Sequence, residues 1–97
     1  MKKNIVLVGT LDTKGPEFAY VRDRMQALGM TTTVIDAGIL GEPLGIVPDI
    51  DHAEAARFGG TTIEALQKAG SRGKAVAGMR DALRVLLLKL YREGRLD

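Results

Sequence analysis

An α/β fold built on a parallel sheet is what this sequence predicts, and three stretches predict it. Ile5-Val6-Leu7-Val8 is a continuous apolar run ending on Gly9, the pattern of a strand buried on both faces. An amphipathic stretch follows, and then Thr32-Thr33-Val34-Ile35-Asp36, a run of strong β formers. Strand, helix and strand within about thirty residues make a βαβ unit with a right-handed crossover.

Between the two strands, Pro16 sits where a first helical turn tolerates its missing N–H, and Glu17 beside it favours the helix dipole. Phe18, Val21, Met25 and Leu28 recur at helical spacing and form one apolar face, and Gly29 is the stop. The segment 37–51 holds glycines, two prolines and little periodicity, so it is a long loop. Gly38 and Gly41 in it serve either chain reversal or close approach of backbone to a ligand. Asp51-His52-Ala53-Glu54 is a capping pattern before Ala55 and Ala56, with Gly59-Gly60 to end a short helix. Thr61-Thr62-Ile63-Glu64 repeats that pattern, with Gly70 as stop, so Glu54 and Glu64 are capping residues first. From Lys74 to Glu93 runs the longest helix, with Val76, Met79, Leu83, Leu86 and Leu90 as its stripe and further apolar residues widening it. Arg80, Asp81, Arg84, Lys89 and Arg92 mark its wet side, Asp81 and Arg84 being placed to pair.

Composition narrows the function. The chain has 97 residues, 45% of them hydrophobic, and a formal charge of +2. Residues 1–67 carry six Lys/Arg against nine Asp/Glu, and residues 68–97 carry eight against three. That basic tail fits an anionic ligand or simply a solvated helix face. Only two Tyr and two Phe are present and no Trp, which argues against the base-stacking platforms of single-strand nucleic-acid binders. Without cysteine there is no disulfide frame and no thiolate metal site. His52, the one histidine, has no second ligand at zinc spacing, so no metal site is expected. No stretch reaches membrane-spanning length and the start lacks a secretory h-region, so a cytoplasmic protein is expected.

A parallel pair of strands does not stand alone, and a helix as apolar as 74–93 needs a sheet to lie on. The expected architecture is therefore incomplete: the front portion of a larger domain, with homo-oligomerisation through the 74–93 helix as the other way of covering that face.

Two segments carry candidate chemistry. Gly9-Thr10-Leu11-Asp12-Thr13-Lys14-Gly15-Pro16 lies at the carboxyl edge of the first strand, where ligands dock in open α/β sheets, next to a helix start that favours anions. It is neither a Walker-type phosphate loop nor Gly-x-Gly-x-x-Gly, since Lys14 precedes Gly15 and Leu11 takes the second glycine's place. Asp12 and Thr13 serve a ligand or merely the turn. Gly70-Ser71-Arg72-Gly73 joins a short helix to the long one. Its glycines and Ser71 are explained by a stop and a cap; Arg72 is not, and a guanidinium at a helix start can hold an anion bidentately.

These segments, with Val34-Ile35-Asp36-Ala37-Gly38-Ile39-Leu40-Gly41-Glu42-Pro43 between them, resemble the amino-terminal part of the ATP-binding domain family named for the tomato mosaic virus resistance protein. The resemblance implies a Rossmann-like nucleotide-binding domain, residues 1–97 being its amino-terminal portion, in a longer and often dimeric protein with a second domain and no assigned reaction. It implies that Asp12, Thr13 and Lys14 contribute to an ATP site, with Arg72 and Gly73 at the phosphates. Ser71 departs from the Asp usual in that family. Family members continue past an ending like this one into a further strand and a glycine- and serine-rich loop that carries much of the phosphate contact.

The expected function is nucleotide binding, with ATP as cofactor, with or without Mg²⁺. Lys14 and Arg72 would meet phosphate charge, Thr13 a phosphate or the ribose, and Asp12 would orient Lys14 or hold a metal-bound water. No nucleophile–base pair and no paired carboxylates stand out at that edge, so no catalytic residue is assigned. The alternatives are a metabolic enzyme whose catalytic groups lie beyond residue 97, and a helix-mediated dimerisation module without an active site. Neither nucleic acid nor membrane is expected as a partner.

Overall fold

The computed structural model describes residues 3–96. Its elements are β1 (Asn4–Gly9), α1 (Leu11–Ala27), β2 (Thr31–Asp36), α2 (His52–Arg57), α3 (Ile63–Gln67) and α4 (Arg72–Arg92). β1 and β2 are parallel, in register from Asn4 opposite Thr31 to Gly9 opposite Asp36. The class is α/β: a two-stranded parallel sheet flanked by helices, compatible with part of a Rossmann-like domain.

The continuous apolar runs are explained by what lies on each face. Val6, Val8 and Ile35 join the larger core with Met79, Leu86 and Leu90. Leu7 and Val34 turn the other way, onto Leu11, Ile46 and Phe18. On the far side of β2 the returning chain adds one parallel bridge, Ile35 to Ile50. There Asp36 N–H donates to Ile50 O at 3.0 Å, and Ile50 N–H to Val34 O at 3.1 Å. The opposite edge, that of β1, pairs with no strand among the described residues.

The first helix starts earlier than its proline suggests. Thr13 N–H and Lys14 N–H both donate to Thr10 O, at 3.2 and 2.8 Å, closing one turn over Leu11–Thr13. Lys14 then leaves helical geometry (φ −116°, ψ 15°) and the helix resumes into Pro16. Proline has no N–H to give and its ring crowds the carbonyl four residues back, so the break falls just before it. Of the expected apolar face, Phe18 packs on the smaller core while Leu28 is left exposed. Gly29 supplies the left-handed stop (φ 87°).

Both short helices are capped by a side chain. Asp51 accepts from Glu54 N–H at 2.8 Å. In the second, Thr62 rather than Thr61 accepts, from Ala65 N–H at 3.1 Å. Ser71 caps α4, accepting from Lys74 N–H at 3.1 Å, so that helix begins at Arg72, two residues ahead of the expected start.

The buried stripe of α4 is also rotated from the expected one: Ala75, Met79, Ala82, Leu86 and Leu90 are buried, whereas Val76 is half exposed. Small residues explain the rotation, because they let α4 approach α2 and α3 closely. A Cβ added at Gly59 would lie 2.8 Å from Ala82 Cβ, and one at Gly78 would lie 2.5 Å from Leu66 Cδ2. Asp81 lies 3.8 Å from Arg80 in an exposed pair, and Arg84 has no ion-pair partner among the described residues. α4 starts near the carboxyl edge of the sheet and returns to its other end, where Asn4 Nδ2 donates to Arg95 O.

Candidate functional site

The carboxyl edge is shaped by the loop 37–51 folding back over the start of α1. Leu44 N–H donates to Leu11 O at 3.0 Å. The crossing is so close that a Cβ on Gly15 would lie 1.8 Å from Leu44 O. The same fold-back presses the loop onto Asp12. A Cβ at Gly38 would lie 2.9 Å from Asp12 Oδ1 and 3.0 Å from Asp36 Oδ1, and one at Gly41 would lie 3.4 Å from Asp12 Cβ. Gly38 is thus a position of close backbone approach, toward carboxylates of this chain, whereas Gly41 stands at ordinary contact distance from Asp12.

Asp36 ends β2 and is 0% exposed. Its Oδ1 accepts from Gly38 N–H at 2.8 Å and from Leu11 N–H at 3.3 Å. Its Oδ2 is buried without a hydrogen bond, as is Asp12 Oδ1. Burial pushes the Asp36 carboxyl above its usual range. The Gly38 and Leu11 amides and His52 pull against that shift, and neighbouring Asp12 adds to it. His52 Nδ1 stands 2.7 Å from Gly38 O. Since a carbonyl only accepts, the proton is on Nδ1. That nitrogen is 3.7 Å from Asp36 Oδ2, and Nε2 is 3.8 Å from exposed Glu42 Oε1. The paired carboxylates that sequence reasoning did not find at this edge are here: Asp12 and Asp36. The signal was available, because Asp36 is the last residue of β2 and Asp12 follows the end of the strand beside it.

Beside the carboxyl edge opens a groove of about 1270 Å³ that follows one flank of α4 as far as Leu96. Of the five site residues predicted, Asp12, Thr13 and Arg72 line it, at one end. Lys14 and Gly73 are not among its lining residues; both are exposed. Lys14 makes no ion pair with Asp12, which faces the loop glycines. Thr13 Oγ1 is 3.2 Å from Thr10 O and 3.1 Å from Thr10 Oγ1, so its hydroxyl presently serves the turn. The N–H groups of Arg72 and Gly73, first and second in α4, have no acceptor among the described residues. Sequence reasoning missed Lys68, Arg80 and Arg84, which line the groove with Arg72 and face a single lining carboxylate, Asp12. The four-residue spacing of Arg72, Val76, Arg80 and Arg84 was the available signal.

Among the described residues, no group of three or more His, Cys, Asp or Glu is arranged to hold a metal ion. No helix there is long and apolar enough to cross a membrane.

By fold and site, then, the chain is a small α/β unit compatible with part of a Rossmann-like domain, with a loop-covered carboxyl edge and beside it a largely apolar groove that carries Lys68, Arg72, Arg80 and Arg84. It belongs to the uncharacterised protein family UPF0261, whose N-terminal domain matches residues 3–97. A UPF0261 protein of Clostridium tetani is 41% identical over 93 residues, 96% of this chain and 23% of that protein. A UPF0261 protein of Brucella suis is 31% identical over 93 residues, 96% of this chain and 22% of its own length. A third, from Mesorhizobium japonicum, is 34% identical over 77 residues, 79% of this chain and 19% of that protein. The chain thus spans less than a quarter of the curated relatives it matches. No solved structure matches it significantly. These findings correct the resemblance to the ATP-binding family of the tomato mosaic virus resistance protein: the family that matches is UPF0261. Weak motifs in register were too little to choose between families, and a nucleotide role has to rest on the groove itself.

Proposed function

We propose that this chain supplies the carboxyl-edge part of a nucleotide site, for ATP, in a longer cytoplasmic protein of which it is the amino-terminal portion. One observation carries this: Thr13, from the turn after β1, and Arg72, from the first turn of α4, line the same end of one groove, whose other cations outnumber its one carboxylate. Ligands of open α/β sheets dock at this edge, and a helix N-terminus with unfilled amides favours phosphate. The residues fit the group. The Arg72 guanidinium and the Arg72 and Gly73 amides meet phosphate oxygens, Thr13 turns its hydroxyl from Thr10 to the ligand, and Ile39, Leu40 and Val76 of the groove lining take the base. Asp12 would repel bare phosphate, so the nucleotide comes with Mg²⁺, which supplies charge neutralisation and accepts Asp12 or its bound water. Asp36 and His52 hold the loop and Asp12 in place. No reaction is assigned to the site.

Titration calorimetry with Mg·ATP on the polypeptide extended to its relatives' length tests this. Arg72→Ala removes a charged hydrogen bond worth about 1.5–3 kcal/mol, a loss of about 12- to 150-fold in affinity. Lys14→Ala, outside the groove, costs under about 0.5 kcal/mol, as exposed charges usually do. Equal affinities for wild type and Arg72→Ala would remove the site.

A second possibility is a dimer formed through the 74–93 helix, favoured by its exposed Val76, Val85, Leu88 and Tyr91. A stable dimer on gel filtration that ignores nucleotides would favour it.

A further inference from the structure

We propose that the outer edge of β1 is the berth of a further parallel strand, contributed by the same polypeptide at the length its relatives have, and entering from the Asn4 end. In a parallel ladder successive residues direct their backbone groups alternately to one neighbour and the other. Lys3 O accepts from Thr31 N–H and Gly9 O from Ala37 N–H. With the observed register, Ile5 and Leu7 therefore serve β2, and Val6 and Val8 point away from it. The N–H and C=O of Val6 and Val8 meet no strand among the described residues, although their side chains belong to the larger core. An apolar edge of this kind is a template for another backbone.

The chain itself indicates which backbone. The far edge of β2 is already engaged by Ile50, so the sheet grows only past β1. α4 runs back along the groove to the start of β1, where Asn4 Nδ2 holds Arg95 O and Leu96 packs into the core. A segment continuing from there meets the beginning of β1 and, following the open edge, runs in the same direction. Leu83 and Leu87 of α4, half-buried on the groove wall, then lie over the new strand. Relatives have the chain to supply it, since this one covers only 23% and 22% of two of them. The sheet order becomes β2, β1, new strand, with the polar end of the groove left open at the carboxyl edge. None of this depends on nucleotide binding.

Hydrogen exchange read residue by residue compares the 97-residue chain with the polypeptide extended to its relatives' length. The Val6 and Val8 amides are expected to exchange at least about 100-fold more slowly in the longer protein, as ladder amides do. Val6→Pro, which removes an outward N–H, abolishes the protection of the Val8 amide in the longer protein; Val6→Ala leaves it in place. If the proline variant fails to fold, the exchange comparison on the unsubstituted proteins decides. Equal exchange of both amides in the two proteins overturns the proposal. So does protection in the 97-residue chain that rises with concentration alongside a dimer on gel filtration, because a second copy then fills the edge. Absence of ATP binding with the protection retained would count against the nucleotide site and leave this strand untouched.

Discussion

Gly15→Ala sets two physical effects of opposite sign against each other. Gly15 lies in α1 with no positive φ, and in a helix alanine is better than glycine by about 0.8–1 kcal/mol. If the loop did not cross here, the substitution would stabilise the protein. The structure places the new Cβ 1.8 Å from Leu44 O and 2.8 Å from Leu44 C. Ordinary contact of carbon with oxygen needs roughly 3.2–3.4 Å, so the loop backbone has to retreat by about 1.5 Å, the kind of overpacking that costs about 1–3 kcal/mol. That retreat also breaks the 3.0 Å bond from Leu44 N–H to Leu11 O, for about 0.5–1.5 kcal/mol more. After the helical gain is subtracted, the net loss is about 0.5–3.5 kcal/mol. Urea unfolding followed by circular dichroism measures it: with a slope of about 1–1.5 kcal/mol/M for a chain this small, the midpoint falls by about 0.3–3.5 M. A midpoint unchanged or raised would mean the loop does not lie on α1, and the placement of Asp12 against Gly38 and Gly41 would go with it.

Asp36→Asn tests the buried carboxyl. A carboxyl whose pKa is raised by folding holds its proton more tightly in the native state, so its contribution is present below the ordinary aspartate value and is lost as pH rises to the raised one. The wild type should lose melting temperature across that window relative to Asp36→Asn, and parallel profiles would refute the shift. Ser71→Ala removes the cap of α4 and should cost about 1 kcal/mol in urea unfolding; no change would mean the helix does not start at Arg72.

How much of this was readable in advance depended on whether the signal was local. The two strands, the stops at Gly29 and Gly70 and the caps at Asp51 and Ser71 come from residues acting on their own neighbourhood, and they were legible. The stripe of α4 was not, because hydropathy ranks Val76 above Ala75, whereas burial was decided by how closely Gly59 and Gly78 let the helices approach. The break at Lys14 was hidden for a similar reason: Pro16 marks where regular helix resumes but says nothing of the turn Thr10 closes before it. Asp36 and His52 come together only because β2 and α2 are joined by a loop that doubles back through Gly38. Residue types at Asp12, Thr13 and Arg72 pointed to one edge, and the groove they share depends on the path of α4.

The shared anion site is tested most directly by recording amide nitrogen–proton spectra of the 97-residue chain while Mg·ATP is added. The amides of Thr13, Arg72 and Gly73 are expected to shift together and saturate with one common dissociation constant, in the weak range suited to an incomplete site. Shifts confined to other residues, or separate constants for Thr13 and Arg72, would contradict it.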